Sequence, residues 1–170
     1  MSSRSVFQRL VPNVNTGNNF VRASWDRMAG MPGGRRLFSM MVGRAAPYTG
    51  SIGAQVRELR VGFARVTMRD RPHLRNHLRC VHAVALANLG ELTGNVALAY
   101  SLPDDARFIV AGMQIEYLKK ARGTITGICE APVVHSSGRQ EYEVVVSLRD
   151  ESGQDVTRCT LRTLVGPKKA

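Results

Sequence analysis

The stretch 71–94 reads RPHLRNHLRCVHAVALANLGELTG and sets an amide, an imidazole and a single carboxylate at fixed intervals: Asn76, His82 and Glu91. Glu91 is the residue that demands a reason. From Val81 onward Ala, Leu and Val dominate, and neither Gly nor Pro appears until Gly90, so the segment favours an apolar helix. A carboxylate drawn out of water in such a helix is costly unless it is paired or used. The nearby basic residues, Arg71, Arg75 and Arg79, all lie upstream, and none falls between Val81 and Arg107. Glu91 therefore has no cation one helical turn away. It is the leading candidate for chemistry. The competing reading is a helix carboxylate that reaches solvent or a distant arginine. His82, nine residues earlier, sits about 180° around the helix from Glu91 and reads as a capping or structural group. Asn76, in the loop before the helix, is by residue type a turn former.

The chain that carries these residues has 170 amino acids, enough for one domain with a real core. It has no apolar run of membrane-spanning length, because His82, Asn88, Glu91 and Asn95 interrupt the best candidate at 81–100. The start, MSSRSVFQRL, lacks the apolar region of a signal peptide, which predicts a cytoplasmic protein. Cys80, Cys129 and Cys159 are odd in number and widely spaced, so free thiols are expected and no metal site.

The net charge is +11 and the isoelectric point near 10.6. Such a field favours polyanions, either nucleic acid or a phosphate-rich small molecule such as coenzyme A. The sequence has no zinc-finger, RNP-like or basic heptad pattern and few aromatic residues for stacking bases, so nucleic acid is disfavoured. Lys119, Lys120 and Arg122 flank one turn. They read either as a solvated basic turn or as contacts to the phosphates of coenzyme A.

Residues 1–16 look frayed, and helical patterns follow at 19–28 and 35–43. A strand-like pattern covers 52–68, with Gly62 as a bulge or bend. After the apolar helix, which ends before Pro103, strands are expected at 108–118, 123–131, 141–148 and 156–165. Short connections between consecutive strands imply antiparallel pairing. The expected fold class is thus α+β, a curved antiparallel sheet of five strands wrapped around one long helix. Ala83, Ala87, Gly90 and Gly94 form a small-residue stripe that predicts close packing of this helix.

That layout, with Asn76-x5-His82-x8-Glu91, resembles the hotdog fold and, within it, the phenylacetate-degradation type of acyl-CoA thioesterase, over about 52–165. The family's helix starts at His-Gly-Gly, and here the sequence is His82-Ala83-Val84. Its usual Asp is Glu91, and a strand hydroxyl found in some members falls at Val110. The segments before residue 52 are closer to a hotdog branch of unassigned activity.

The resemblance implies an N-terminal helical extension at 1–50 and a hotdog domain at 51–170. It implies a thioesterase in which Glu91 is base or nucleophile, the Ala83 N–H at the helix start polarises the carbonyl, Asn76 orients water or substrate, and His82 marks the helix start. Coenzyme A then enters as part of the substrate, with Lys119, Lys120 and Arg122 on its phosphates, and no separate cofactor. About 13 Å of helix separates the helix start from Glu91. The family solves this by pairing subunits, which implies a homodimer or a dimer of dimers. The alternative is a non-catalytic hotdog module that binds acyl-CoA or fatty acyl groups.

Overall fold

The structure, a computed structural model, describes residues 18–168, so the stretch 1–16 lies outside it. Helix α1 (Phe20–Met28) starts where the Asn19 side chain accepts the Arg22 N–H at 3.0 Å. After Gly30 come α2 (Gly34–Ala45) and the single turn α3 (Pro47–Gly50), which begins at Pro47. Six strands and one long helix follow: β1 (Gln55–Arg60), β2 (Phe63–Met68), α4 (Ala83–Ser101), β3 (Ala106–Tyr117), β4 (Ile125–Glu130), β5 (Gln140–Arg149) and β6 (Asp155–Pro167).

All strands lie in one antiparallel sheet of order β1-β2-β4-β5-β6-β3. Six strands replace the expected five because the 52–68 pattern is a hairpin. Arg60 pairs with Phe63 around Val61 and Gly62, and Gly62 has φ +72°, a left-handed conformation that turns the chain fully round rather than merely bending it. β3 does not pair with the next strand in sequence. Residues 118–124 carry the chain past two strands, and β3 instead pairs with β6 from Ala106↔Pro167 to Tyr117↔Thr157.

α4 lies against one face of this sheet and supplies the centre of the core. Leu89, Ala97 and Leu98 are fully buried against Val144, Val146, Leu148 and Leu161. The small-residue stripe explains how closely it packs. A Cβ added at Gly90 would run into the Cys159 sulfur, and one at Gly94 into Leu161. The less buried residues of α4, namely Val84, Ala87, Glu91 and Asn95, recur every three or four positions and form a ridge on the other side.

The C-terminal end of α4 is clamped by α1. The Asn19 amide donates to the carbonyls of Ala99 at 2.7 Å and Leu102 at 3.0 Å, and Arg22 donates to Leu102 at 3.1 Å. The Tyr100 hydroxyl donates to Asp26 at 2.7 Å, while the Trp25 and Phe38 rings meet edge to face at 5.1 Å. Burial, together with the bond to Asp26, pushes the Tyr100 hydroxyl up to about 12. Of the two sheet edges, β1 is met by α2, whose Ser39 hydroxyl accepts the Val56 N–H at 2.9 Å. Among the described residues no strand pairs with the outer edge of β3, and Ile109, Met113 and Tyr117 stand exposed along it.

Candidate active site

The loop that leads into α4 is tightly built. A 3-10 turn at Pro72–Leu74 is followed by a closed excursion in which Arg75 bridges back to Val81. Asn76 donates its N–H to the Cys80 carbonyl at 2.9 Å, and its side-chain oxygen accepts the Leu78 N–H at 2.9 Å. Asn76 is thus the residue that folds the excursion, and its oxygen is spent on the turn; only the amide NH₂ remains to meet a ligand. Arg79 closes the turn at φ +54°, an uncommon conformation for a side chain of its size.

His82 is the N-cap of α4. Its Nδ1 accepts the Val84 N–H at 3.1 Å, as expected of a capping group. Ala83 is the first helical residue, and its N–H has no partner among the described residues. The Ala83 carbonyl accepts the Tyr117 hydroxyl at 3.2 Å, and the Val81 N–H donates to Ala121 at 2.9 Å. These two bonds tie the helix start to the end of β3 and to the turn after it. Burial raises the Tyr117 hydroxyl above its ordinary range, so it remains a proton donor at neutral pH.

Glu91 sits two turns along, half-buried on the ridge, and makes no hydrogen bond or ion pair among the described residues. Within one chain, therefore, Ala83 and Glu91 are not brought together. Asn88 and Asn95 flank Glu91 at i−3 and i+4 on the same side of the helix. The Asn88 amide donates to Tyr48 at 3.0 Å, yet the side-chain oxygens of both Asn88 and Asn95 are buried without a partner. A buried carbonyl oxygen left bare is costly. Sequence reasoning passed over these two residues except as interruptions of an apolar run. Their spacing around Glu91 is the signal that marks them.

The basic turn divides. Lys119 is bound to Asp150 at 2.6 Å, a contact that, with the Ser152 hydroxyl and backbone N–H bonds, holds the Asp150 carboxyl well below the usual range. Lys120 is exposed. Arg122 lines a cleft of about 570 Å³ beside the helix start, together with Arg69, Arg75 and Arg79. The three cysteines are buried and unpaired, and burial pushes Cys129 up to about 12 and Cys159 up to about 11. Among the described residues no group of His, Cys, Asp or Glu is placed to hold a metal ion, and no helix is long and apolar enough to cross a membrane.

The model of a domain of unknown function, DUF4442, matches residues 34–165. No curated protein matches the chain. Among solved structures, one determined by structural genomics is 32% identical, with a TM-score of 0.75, over 87% of this chain and 99% of that one. A Pseudomonas aeruginosa protein of unknown function, described as a probable thioesterase, is 21% identical with a TM-score of 0.71 over 81% of this chain and 97% of that one. The Escherichia coli PaaI protein, from the phenylacetic acid degradation operon, is 14% identical with a TM-score of 0.63 over 88% and 96%. The long helix laid against a six-stranded antiparallel sheet is the hotdog fold of these thioesterase-family neighbours, and the chain belongs to the DUF4442 family.

Proposed function

We propose that the protein hydrolyses an acyl-CoA or related thioester. The observation that carries this reading is Glu91, the single charged residue of α4, without an ion pair among the described residues, in a chain of this fold. Glu91 takes a proton from water, which attacks the thioester carbonyl. The carbonyl oxygen gathers negative charge and receives the free Ala83 N–H at the positive end of the helix. The C–S bond then breaks, and the departing thiolate recovers the proton from Glu91. Attack by Glu91 itself, through an anhydride that water then opens, uses the same groups. The Asn76 NH₂ orients the thioester or the water.

Because about 12 Å of helix separates Ala83 from Glu91, the working site takes one of them from each of two subunits. The bare β3 edge, with Ile109 and Met113 exposed, supports a homodimer paired there. Lys120 and Arg122 contribute to holding the nucleotide phosphates, and Lys119 joins them only by leaving Asp150.

A panel of acyl-CoAs with the parent and Glu91→Gln tests this. The expected result is hydrolysis of at least one thioester by the parent and a fall of about 10²- to 10⁴-fold in the variant, with unchanged thermal stability. Binding without turnover by the parent would establish the alternative, a non-catalytic acyl-CoA module.

A further inference from the structure

Beside the start of α4, the walls of the 570 Å³ cleft bring together residues from three separate places in the sequence: Arg69 and Asp70 after β2, Arg75 and Arg79 in the excursion, and Arg122 to Thr124 before β4. Glu151, in the β5–β6 turn, closes it. Four arginines face two carboxylates, and both carboxylates are already engaged. Asp70 receives Arg75 through two bonds, at 2.7 Å and 3.2 Å, and also accepts the Gly123 N–H at 3.3 Å. Glu151 accepts the Thr124 N–H at 2.9 Å, which holds its carboxyl below the usual range. Asp70 and Glu151 therefore brace the walls. Arg69, Arg79 and Arg122 are left with no hydrogen bond or ion pair from their side chains among the described residues.

Three free guanidinium groups around one concavity repel each other unless an anion joins them. The surplus of two positive charges in the cleft matches a phosphomonoester, which carries about −1.5 to −2 at neutral pH. Guanidinium forks suit its oxygens geometrically as well as by charge. A nucleic-acid backbone is a poorer fit, since the charges converge on a cleft rather than running in a stripe and no aromatic side chain lines it. We propose that this cleft, through Arg69, Arg79 and Arg122, binds a phosphomonoester dianion carried by the protein's small-molecule ligand.

The cleft is coupled to the helix start. Arg79 lies four residues before Ala83, at most about 14 Å of extended chain. Arg122 follows Ala121, whose carbonyl takes the Val81 N–H. A molecule with a phosphate at one end and a thioester at the other, joined by a flexible arm, spans the two. Coenzyme A, with its 3′-phosphate, is such a molecule. Naming it rests on the thioesterase reading, whereas the phosphate site itself does not.

Calorimetric titration of the parent with coenzyme A, with coenzyme A lacking the 3′-phosphate, and with inorganic phosphate separates the two claims. The test variant is Arg69→Ala with Arg79→Gly, the glycine being chosen because it accepts the left-handed backbone of that position; Arg122→Ala is the second. Circular dichroism checks their fold. The expected result is at least a tenfold preference of the parent for coenzyme A over the form without the 3′-phosphate, a loss of that preference in both variants, and competition by millimolar phosphate in the parent alone. A parent that shows neither the preference nor phosphate binding, or variants that keep both, would overturn the cleft even if thioesters are hydrolysed, whereas phosphate binding without the preference would keep the cleft and remove coenzyme A from it. Preference and competition without any hydrolysis would establish the cleft and remove the thioesterase reading.

Discussion

The two ends of α4 are finished in opposite ways. At the C-terminal end the Ala99 and Leu102 carbonyls take the Asn19 amide, Leu102 also takes Arg22, and the Ser101 hydroxyl both donates to Ala97 and accepts the Gly62 N–H. At the N-terminal end His82 satisfies Val84 alone, the Ala83 N–H has no partner among the described residues, and Arg69, Arg79 and Arg122, whose side chains also have none there, line the approach. An end tied down by partners holds structure. An end left open, in a fold that had the means to close it, is available to a ligand. The same polar backbone groups thus serve stability at one end and recognition at the other.

The sharpest way to break this contrast is to remove one hydrogen atom from the open end. Ala83→Pro deletes the N–H while keeping a residue suited to the first helical position, and His82 already has the extended backbone (φ −66°, ψ 140°) that must precede proline. Thioester hydrolysis should fall about 10²- to 10³-fold, with the melting temperature nearly unchanged. Mixing this variant with Glu91→Gln should restore about a quarter of parent activity if each site draws on two subunits, since only mixed dimers then contain one intact site. No recovery after subunit exchange would place both groups in one chain and undo the shared site.

At the closed end the expectation reverses. Asn19→Ala strips partners from two carbonyls and should cost about 1–3 kcal/mol in denaturant unfolding, while the folded fraction keeps its specific activity. Equal losses of activity and stability would erase the distinction between the ends.

The smallest effect concerns acid. Asp150, which holds Lys119 and the β5–β6 turn beside the open end, has its carboxyl lowered chiefly by the bond to Lys119 and then by Ser152. Its contribution is therefore present above the unfolded carboxyl's value, about 3.9, and is lost as pH falls through the lower folded value. Thermal melts should show the parent losing stability below about pH 4 and Asp150→Asn losing less over that interval. Parallel curves would assign acid sensitivity to other carboxylates.

What was readable in the sequence depended on how local its cause was. The α+β class, the central helix and the capping role of His82 follow from neighbours within a few residues, and each is found in the structure. The isolation of Glu91 was legible because no cation stood within a turn of it. The β1–β2 hairpin was missed because Val61-Gly62 lacks the Asn or Asp that usually announces a two-residue turn. The partnership of β3 with β6 depends on pairing between distant segments, and no local pattern specifies it. The arginine cleft failed for the same reason: Arg69, Arg79 and Arg122 read as scattered charge until folding gathers them. Asn88 and Asn95 looked like breaks in an apolar run, and only the bareness of their oxygens shows otherwise.

The buried cysteines have a practical consequence for measuring any of this. Thioester cleavage is followed by trapping the liberated thiol with a chromogenic disulfide, and a protein's own thiolates ordinarily add background. Here Cys129 and Cys159 are shielded and protonated at neutral pH, with Gly90 packed directly over the Cys159 sulfur, and Cys80 is buried with its thiol donating to the Asn76 side-chain oxygen. In the native state the chain should be silent to such a reagent, so that colour reports product. Under denaturant the same reagent should count three thiols and time the opening of the core.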